Sequence, residues 1–125
     1  MNSYILITNN PLVKKNLIGK DIFFTNKSLL GVLIECRNHI HKGHRLLSHP
    51  LSSSVKPNET PFKSVLISKS ASNLDYRSLE IIESSILSSK KFISDAPQPK
   101  WPDKILDDFM LIDYSVISNT IDSIK

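Results

Sequence analysis

The stretch Tyr4-Ile5-Leu6-Ile7-Thr8-Asn9-Asn10-Pro11 decides the fold of this chain of 125 residues. Its first five residues form a short apolar run that is typical of a buried strand. Asn9 and Asn10 then change the direction of the chain. Asn10 suits the N-cap of a helix and Pro11 suits the first helical position. A strand that leads directly into a helix indicates an α/β fold.

The remaining segments continue this alternation. The predicted elements after strand 4–8 and the helix at 11 are strand 22–25, helix 28–42, a short strand 45–48, strand 63–68, a helix that begins after Asp75, and helix 102–124. Residues 95–102 form a proline-rich connector to that last helix. This order predicts a single α/β domain over 1–125, with a small layered fold in which a short, mainly parallel sheet of three to four strands is flanked by helices.

Apolar spacing predicts which helix faces are buried. In helix 28–42, residues Leu29, Leu33, Cys36 and Ile40 recur at helical spacing, and Gly43 suits the C-cap. Cys36 on this stripe is expected to be a buried, inert thiol. In the last helix, the expected apolar face consists of Ile105, Phe109, Ile112, Val116 and Ile124. The acidic face, which is expected to be solvated, consists of Asp103, Asp107, Asp108 and Asp113. The breadth of that apolar face suggests a homodimer contact.

Composition narrows the class of protein. A hydrophobic fraction of 40% and a charged fraction of 22% are typical of a globular chain. No apolar run is long enough to cross a bilayer, so no membrane association is predicted. The first four residues lack the cationic and apolar regions of a secretory signal, which predicts a cytoplasmic protein. The single cysteine excludes an internal disulfide and agrees with a reducing compartment.

Positive charge is concentrated in the segment 37–69. This segment has six cations and one acid, a net charge of +5, whereas the remainder has ten cations and eleven acids, a net charge of −1. The imbalance indicates a localised anion site rather than a generally basic surface. Nucleic-acid binding is not predicted, because Phe62 is the only aromatic residue in the basic segment.

All four histidines fall within the eleven residues 39–49. Imidazole binds zinc, copper, iron and nickel, so a metal site is one interpretation. The spacing matches no zinc motif, however, and Lys42 and Arg45 would repel a cation. We therefore predict no metal and no cofactor.

An anion site is the preferred interpretation, because imidazole, guanidinium, ammonium and hydroxyl groups all donate hydrogen bonds to phosphate or carboxylate. Asn9 and Asn10 belong to it, since they lie at the carboxyl end of a strand and the start of a helix, where α/β sheets bind ligands. The candidate anion-binding residues are Asn9, Asn10, His41, His44, Arg45, His49, Ser52, Ser53, Ser54, Lys56, Asn58 and Lys63. The alternative is that these residues only build a long loop, with polar groups capping one another.

Three strings of the sequence resemble the GrdX family: residues 7–14 (ITNNPLVK), 41–51 (HKGHRLLSHPL) and 54–61 (SVKPNETP). The resemblance extends from Tyr4 to about Phe92. Members of this family are small proteins encoded beside the components of glycine, sarcosine and betaine reductases. The resemblance implies a cytoplasmic accessory protein with reductase subunits as partners, and it implies no catalytic residues.

Three functions remain open at this point. The first is an accessory protein that binds a small anion, phosphate or carboxylate, or an acidic partner through the basic loop. The second is an enzyme in which a histidine acts as acid or base on a phosphorylated or carboxylate small molecule. The third is a structural assembly factor that binds no small ligand.

Overall fold

A computed structural model describes residues 4–17, 20–52 and 55–124. Its elements in chain order are β1 (Tyr4–Thr8), α1 (Pro11–Asn16), β2 (Ile22–Phe24), α2 (Leu29–His41), β3 (Ser64–Ser68), α3 (Tyr76–Asp95) and α4 (Asp103–Ser123). The α/β class and the alternation of strands and helices are confirmed. The C-terminal helix begins after Pro102, as expected from the proline-rich connector.

The sheet has three strands in the order β2-β1-β3. β1 is parallel to β2, with Leu6 opposite Ile22, and antiparallel to β3, with Leu6 also opposite Leu66. The predicted sheet is confirmed only in part: within the described residues it has three strands, as expected, but it is mixed, with one parallel and one antiparallel pair, and not mainly parallel.

The antiparallel direction of β3 follows from the path of the chain after α2. Residues 44–48 run along the outer edge of β3, where Leu46 forms an isolated antiparallel bridge with Ile67. The backbone N–H of Leu47 also donates to the carbonyl of Leu66. Residues 44–48 therefore run in the same direction as β1, and the loop 49–62 begins at the carboxyl end of β1. β3 starts from that end, so it runs antiparallel to β1. The predicted strand 45–48 is only this bridge.

Helices cover both faces of the sheet. On one face, Ile7, Val65 and Ile67 pack with the apolar stripes of α2 and α3. On the other face, Leu6 and Leu66 pack with α1 and α4. This alternation of neighbouring residues between two cores is the period-two pattern of a strand buried on both sides.

The predicted helix ends are largely confirmed. Asn10 caps α1 by accepting a hydrogen bond from the N–H of Leu12, and Asp75 caps α3 by accepting one from the N–H of Ser78. The predicted apolar stripe of α2 is fully buried. Burial raises the pKa of the Cys36 thiol, as expected for an inert cysteine.

The predicted faces of α4 need correction. Ile112 and Ile124 are exposed, whereas Ile117 and Ile121 pack against the sheet and Asp113 is buried. The expectation that Asp113 is solvated is therefore wrong. No helix within the described ranges 4–17, 20–52 and 55–124 combines the length and the apolar character needed to cross a bilayer.

Gly43 fixes the turn from α2 to the edge of β3. It has a φ of +103°, a conformation that side-chain-bearing residues rarely adopt. Its carbonyl accepts from the N–H of Ser72, and a Cβ at this position would overlap the Ser72 carbonyl oxygen.

We expect Gly43→Ala to lower the free energy of unfolding by about 2–4 kcal/mol, because both the backbone conformation and the neighbouring chain must change. Urea unfolding followed by circular dichroism measures this loss. Asn38→Ala, at an exposed position of α2, serves as the control and should change the free energy of unfolding by less than about 0.5 kcal/mol. Equal stability of the two variants would contradict the assignment.

Candidate functional site

A closed ring of hydrogen bonds lies at the carboxyl end of β1. The backbone N–H of Asn10 donates to Thr8 Oγ1 at 3.0 Å, and the hydroxyl oxygens of Thr8 and Ser64 are 2.7 Å apart. Ser64 Oγ donates to Asp113 Oδ2 at 2.7 Å. The side-chain amide of Asn10 donates to the same Oδ2 at 3.0 Å, which closes the ring. The ring joins β1, the start of α1, β3 and α4.

Asp113 is the ionisable member of this ring and is 9% exposed. Burial raises the pKa of its carboxyl, and the hydrogen bonds from Ser64 and Asn10 and the charge of Lys63 only partly oppose that shift. Both ring hydrogen bonds go to Oδ2. Oδ1 is therefore the oxygen that can hold a proton without breaking the ring.

Lys63 lies beside the ring and is only 5% exposed. Desolvation lowers the pKa of its amine, while the nearby Asp113 carboxyl opposes this shift. Within the described residues no carboxylate oxygen comes within 4 Å of the Lys63 Nζ atom. An amine buried without a close counterion is costly and favours its neutral form.

Lys63 and Asp113 line one small cavity. The other lining residues are Val55, Thr60, Phe62, Phe109 and Ile112. The cavity has a volume of about 10 Å³, which is room for about one water molecule. Two ionisable groups with oppositely shifted pKa values in one cavity are typical of sites that bind or transform small molecules.

The two predicted asparagines are present at this end of the sheet, but their side chains are occupied by the fold. Asn9 donates to the carbonyls of Lys27 and Pro61 and accepts from the N–H of Lys63. Asn10 caps α1 and donates to the Met110 carbonyl as well as to Asp113. They position Lys63 and α4, and they have no donor left for an anion.

A second group of predicted residues lies at the opposite end of β3. The predicted residues His41, His44 and Arg45, together with Lys42, are here called the basic turn. His41 is the last residue of α2, and the other three follow it around Gly43. His41, Lys42 and Arg45 are exposed. His44 is half-buried and its Nδ1 donates to the Ser68 carbonyl at 2.7 Å.

The remaining predicted residues are distributed along the long loop. His49 is exposed, and its Nδ1 accepts from the N–H of Leu51. Ser52 and Lys56 are exposed as well. Asn58 Oδ1 is buried without a hydrogen-bond donor among the described residues. Ser53 and Ser54 lie outside the described residues.

The histidines do not converge on one point. His39 and His44 have ring centroids 5.6 Å apart, but His39 Nδ1 is bonded to the Glu35 carbonyl within its own helix. Among residues 4–17, 20–52 and 55–124, no group of three or more His, Cys, Asp or Glu side chains is arranged to hold a metal ion.

Sequence reasoning missed Asp113 as a site residue. A signal was present, because Asp113 falls four residues before Ile117 and eight before Ile121, in the row that faces the sheet. Thr8 and Ser64 were also missed. They are opposite each other in the β1–β3 register, which requires knowledge of the strand pairing.

The fold and the site define a small α/β protein with a mixed three-stranded sheet, a buried amine and carboxyl at one end, and an exposed basic turn at the other. Comparison with protein families then gives a specific assignment. The profile described as GrdX-like protein matches residues 5–122, and the chain belongs to this family. No curated protein and no solved structure matches the chain.

The raised pKa of Asp113 gives a test by pH. A carboxyl whose pKa is raised on folding stabilises the protein when protonated, and this contribution is lost as the pH rises above its unfolded pKa of about 3.9. Asp113→Asn retains an acceptor for Ser64 and Asn10 but cannot ionise. We therefore expect the wild-type protein to lose stability relative to this variant as the pH rises from about 4 through the folded pKa.

Urea unfolding of both proteins across this pH range measures the difference. Asp108→Asn, an exposed position on the same helix, is the control and should show no such trend. A wild-type advantage that grows with pH would show instead that Asp113 is held in its charged form.

Lys63 gives a second test, on stability alone. Lys63→Met keeps the length of the side chain and removes the poorly solvated amine, so we expect the free energy of unfolding at neutral pH to rise by about 1 kcal/mol. Lys56→Met, an exposed position in the same loop, should change it little. A loss of more than about 2 kcal/mol on Lys63→Met would show that the amine makes a stabilising interaction.

Proposed function

We propose that this protein is an accessory component of a glycine, sarcosine or betaine reductase system and that the basic turn binds an acidic surface of a reductase subunit. The observation that supports this proposal is the exposure of its cations. Within the described residues, no carboxylate oxygen lies within 4 Å of the Lys42 ammonium or the Arg45 guanidinium. Neither cation is thus held in a close ion pair, although the Arg45 guanidinium is near enough to Asp75 to help lower the pKa of that carboxyl.

The geometry of the basic turn favours an acidic protein surface over a small anion. The turn follows the C-terminus of α2, where the helix dipole gives partial negative charge. This charge repels an anion that approaches the backbone. Long side chains such as Lys42 and Arg45 can still reach a carboxylate on a partner, away from the helix end.

A rigid support makes the basic turn suitable for recognition. Gly43 is held against Ser72, and His44 and Arg45 are fixed to Ser68 by a side-chain and a backbone hydrogen bond, respectively. A preorganised turn loses little conformational entropy on binding. Its exposed charges raise the association rate with an oppositely charged partner, an effect that salt weakens.

The reductase proposal is tested by binding of immobilised protein to purified reductase subunits at low and high salt. We expect the double variant Lys42→Glu and Arg45→Glu to weaken binding by at least about tenfold at low salt, since two favourable charge contacts become repulsive. The effect should shrink as salt rises.

The matched control is Lys90→Glu with Lys91→Glu, which makes the same charge change at exposed positions of α3. Equal weakening by both double variants would indicate a general charge effect and contradict a specific basic turn. A saturable rise of the unfolding temperature with phosphate, lost on Arg45→Glu, would favour a small anion as the ligand instead.

A further inference from the structure

Lys63 and Asp113 form a second site, distinct from the basic turn. They belong to the opposite end of β3, and they line the same small cavity. The backbone of Lys63 is fixed by a hydrogen bond from its N–H to Asn9 Oδ1 at 2.9 Å. Asp113 is held by the hydrogen-bonded ring through Oδ2. Neither side chain has the other as an ion-pair partner within 4 Å.

We propose that Lys63 captures small aldehydes as an imine and that Asp113 supplies the proton for the dehydration step. An amine must be neutral to attack a carbonyl carbon, and lysines that form Schiff bases are activated by desolvation in this way. The burial of Lys63 lowers the pKa of its amine, and the burial of Asp113 raises the pKa of its carboxyl. Both groups are thus shifted toward the protonation states that the reaction requires.

The size of the cavity selects an aldehyde. A space of about 10 Å³ admits a group the size of a water molecule, so the carbonyl must be at the end of the molecule. A ketone carries a carbon substituent on both sides of its carbonyl and would not enter. The rest of the aldehyde must stay outside this space, where Ile112, a lining residue that is 41% exposed, offers an apolar contact to a short aliphatic tail.

The chemistry needs no further reactant. The lone pair of Lys63 Nζ forms a bond to the aldehyde carbon, and proton transfer gives a carbinolamine. Asp113 then donates its proton to the carbinolamine hydroxyl, which leaves as water while the C=N bond forms. The product is a protonated imine on Lys63 and a carboxylate on Asp113, so the new cation lies beside a new anion.

Reductive trapping tests this proposal on the intact wild-type protein. The protein is incubated at about pH 7 with propanal and cyanoborohydride, and peptides are analysed by mass spectrometry for a propyl group on each lysine. We expect Lys63 to be labelled faster than the exposed Lys56, because a lowered pKa increases the fraction of the amine that is neutral at this pH. Acetone under the same conditions should label Lys63 no faster than Lys56.

Two pairs of variants separate the chemistry from the fold. Lys63→Arg should remove the fast label, whereas Lys56→Arg should leave the labelling of Lys63 unchanged. Asp113→Asn should slow the labelling of Lys63, whereas Asp108→Asn should not. Labelling of wild-type Lys63 at or below the rate of Lys56 would overturn the proposal, and this result does not depend on whether any variant folds.

The labelling result is also independent of the basic turn. Lys42→Glu with Arg45→Glu should still show fast labelling of Lys63, because these positions lie at the other end of β3. Loss of reductase binding and loss of imine formation are therefore separate outcomes. An undiminished label at Lys63 in Asp113→Asn would overturn the role of Asp113 as the proton donor.

Discussion

The hydrogen-bonded ring through Asp113 is the constraint on which the arrangement of this protein depends. It contains an amide, two hydroxyls and a carboxyl in a region from which water is largely excluded. A buried polar group without a partner costs about 1–3 kcal/mol, so the ring is stable only when all four elements that contribute to it are in place. It therefore fixes the position of α4 along the sheet, which apolar packing of Ile117 and Ile121 alone would specify less sharply.

Local sequence rules were sufficient wherever neighbouring residues determine the structure. Asn10 and Asp75 cap the N-termini of α1 and α3, and Gly43 follows the C-terminus of α2. These assignments depend on residues within four positions of each. The rules failed where the partner is distant. Asp113 is bonded to residues 49 and 103 positions away in the sequence, and the direction of β3 depends on the path of residues 44–48 along its edge. Neither the bonds of Asp113 nor the direction of β3 can be read from the spacing of apolar residues in the sequence.

The dense histidine and lysine segment illustrates why proximity in sequence does not define a site. Residues 44–48 run along the edge of β3, with hydrogen bonds from the N–H of Ser68 to the Arg45 carbonyl and from the N–H of Leu47 to the Leu66 carbonyl. The segment consequently places His44 and Lys63 at opposite ends of the strand. The fold itself also uses several of the predicted donors: Ser68 binds His44, and the turn at Leu51 binds His49.

The two ends of β3 differ in the kind of recognition that they can support. The basic turn has charge without enclosure, which suits a large partner whose own surface excludes water. The cavity at Lys63 has enclosure, and its amine is retained at a position that an apolar side chain of similar length could fill. Such a group lowers the stability of the free protein, a cost that is common at functional sites. The backbone of this lysine is held by Asn9, and the neighbouring Asp113 carboxyl accepts from Ser64 and Asn10. The proposed aldehyde chemistry accounts for an amine in such a place, which the requirements of folding do not.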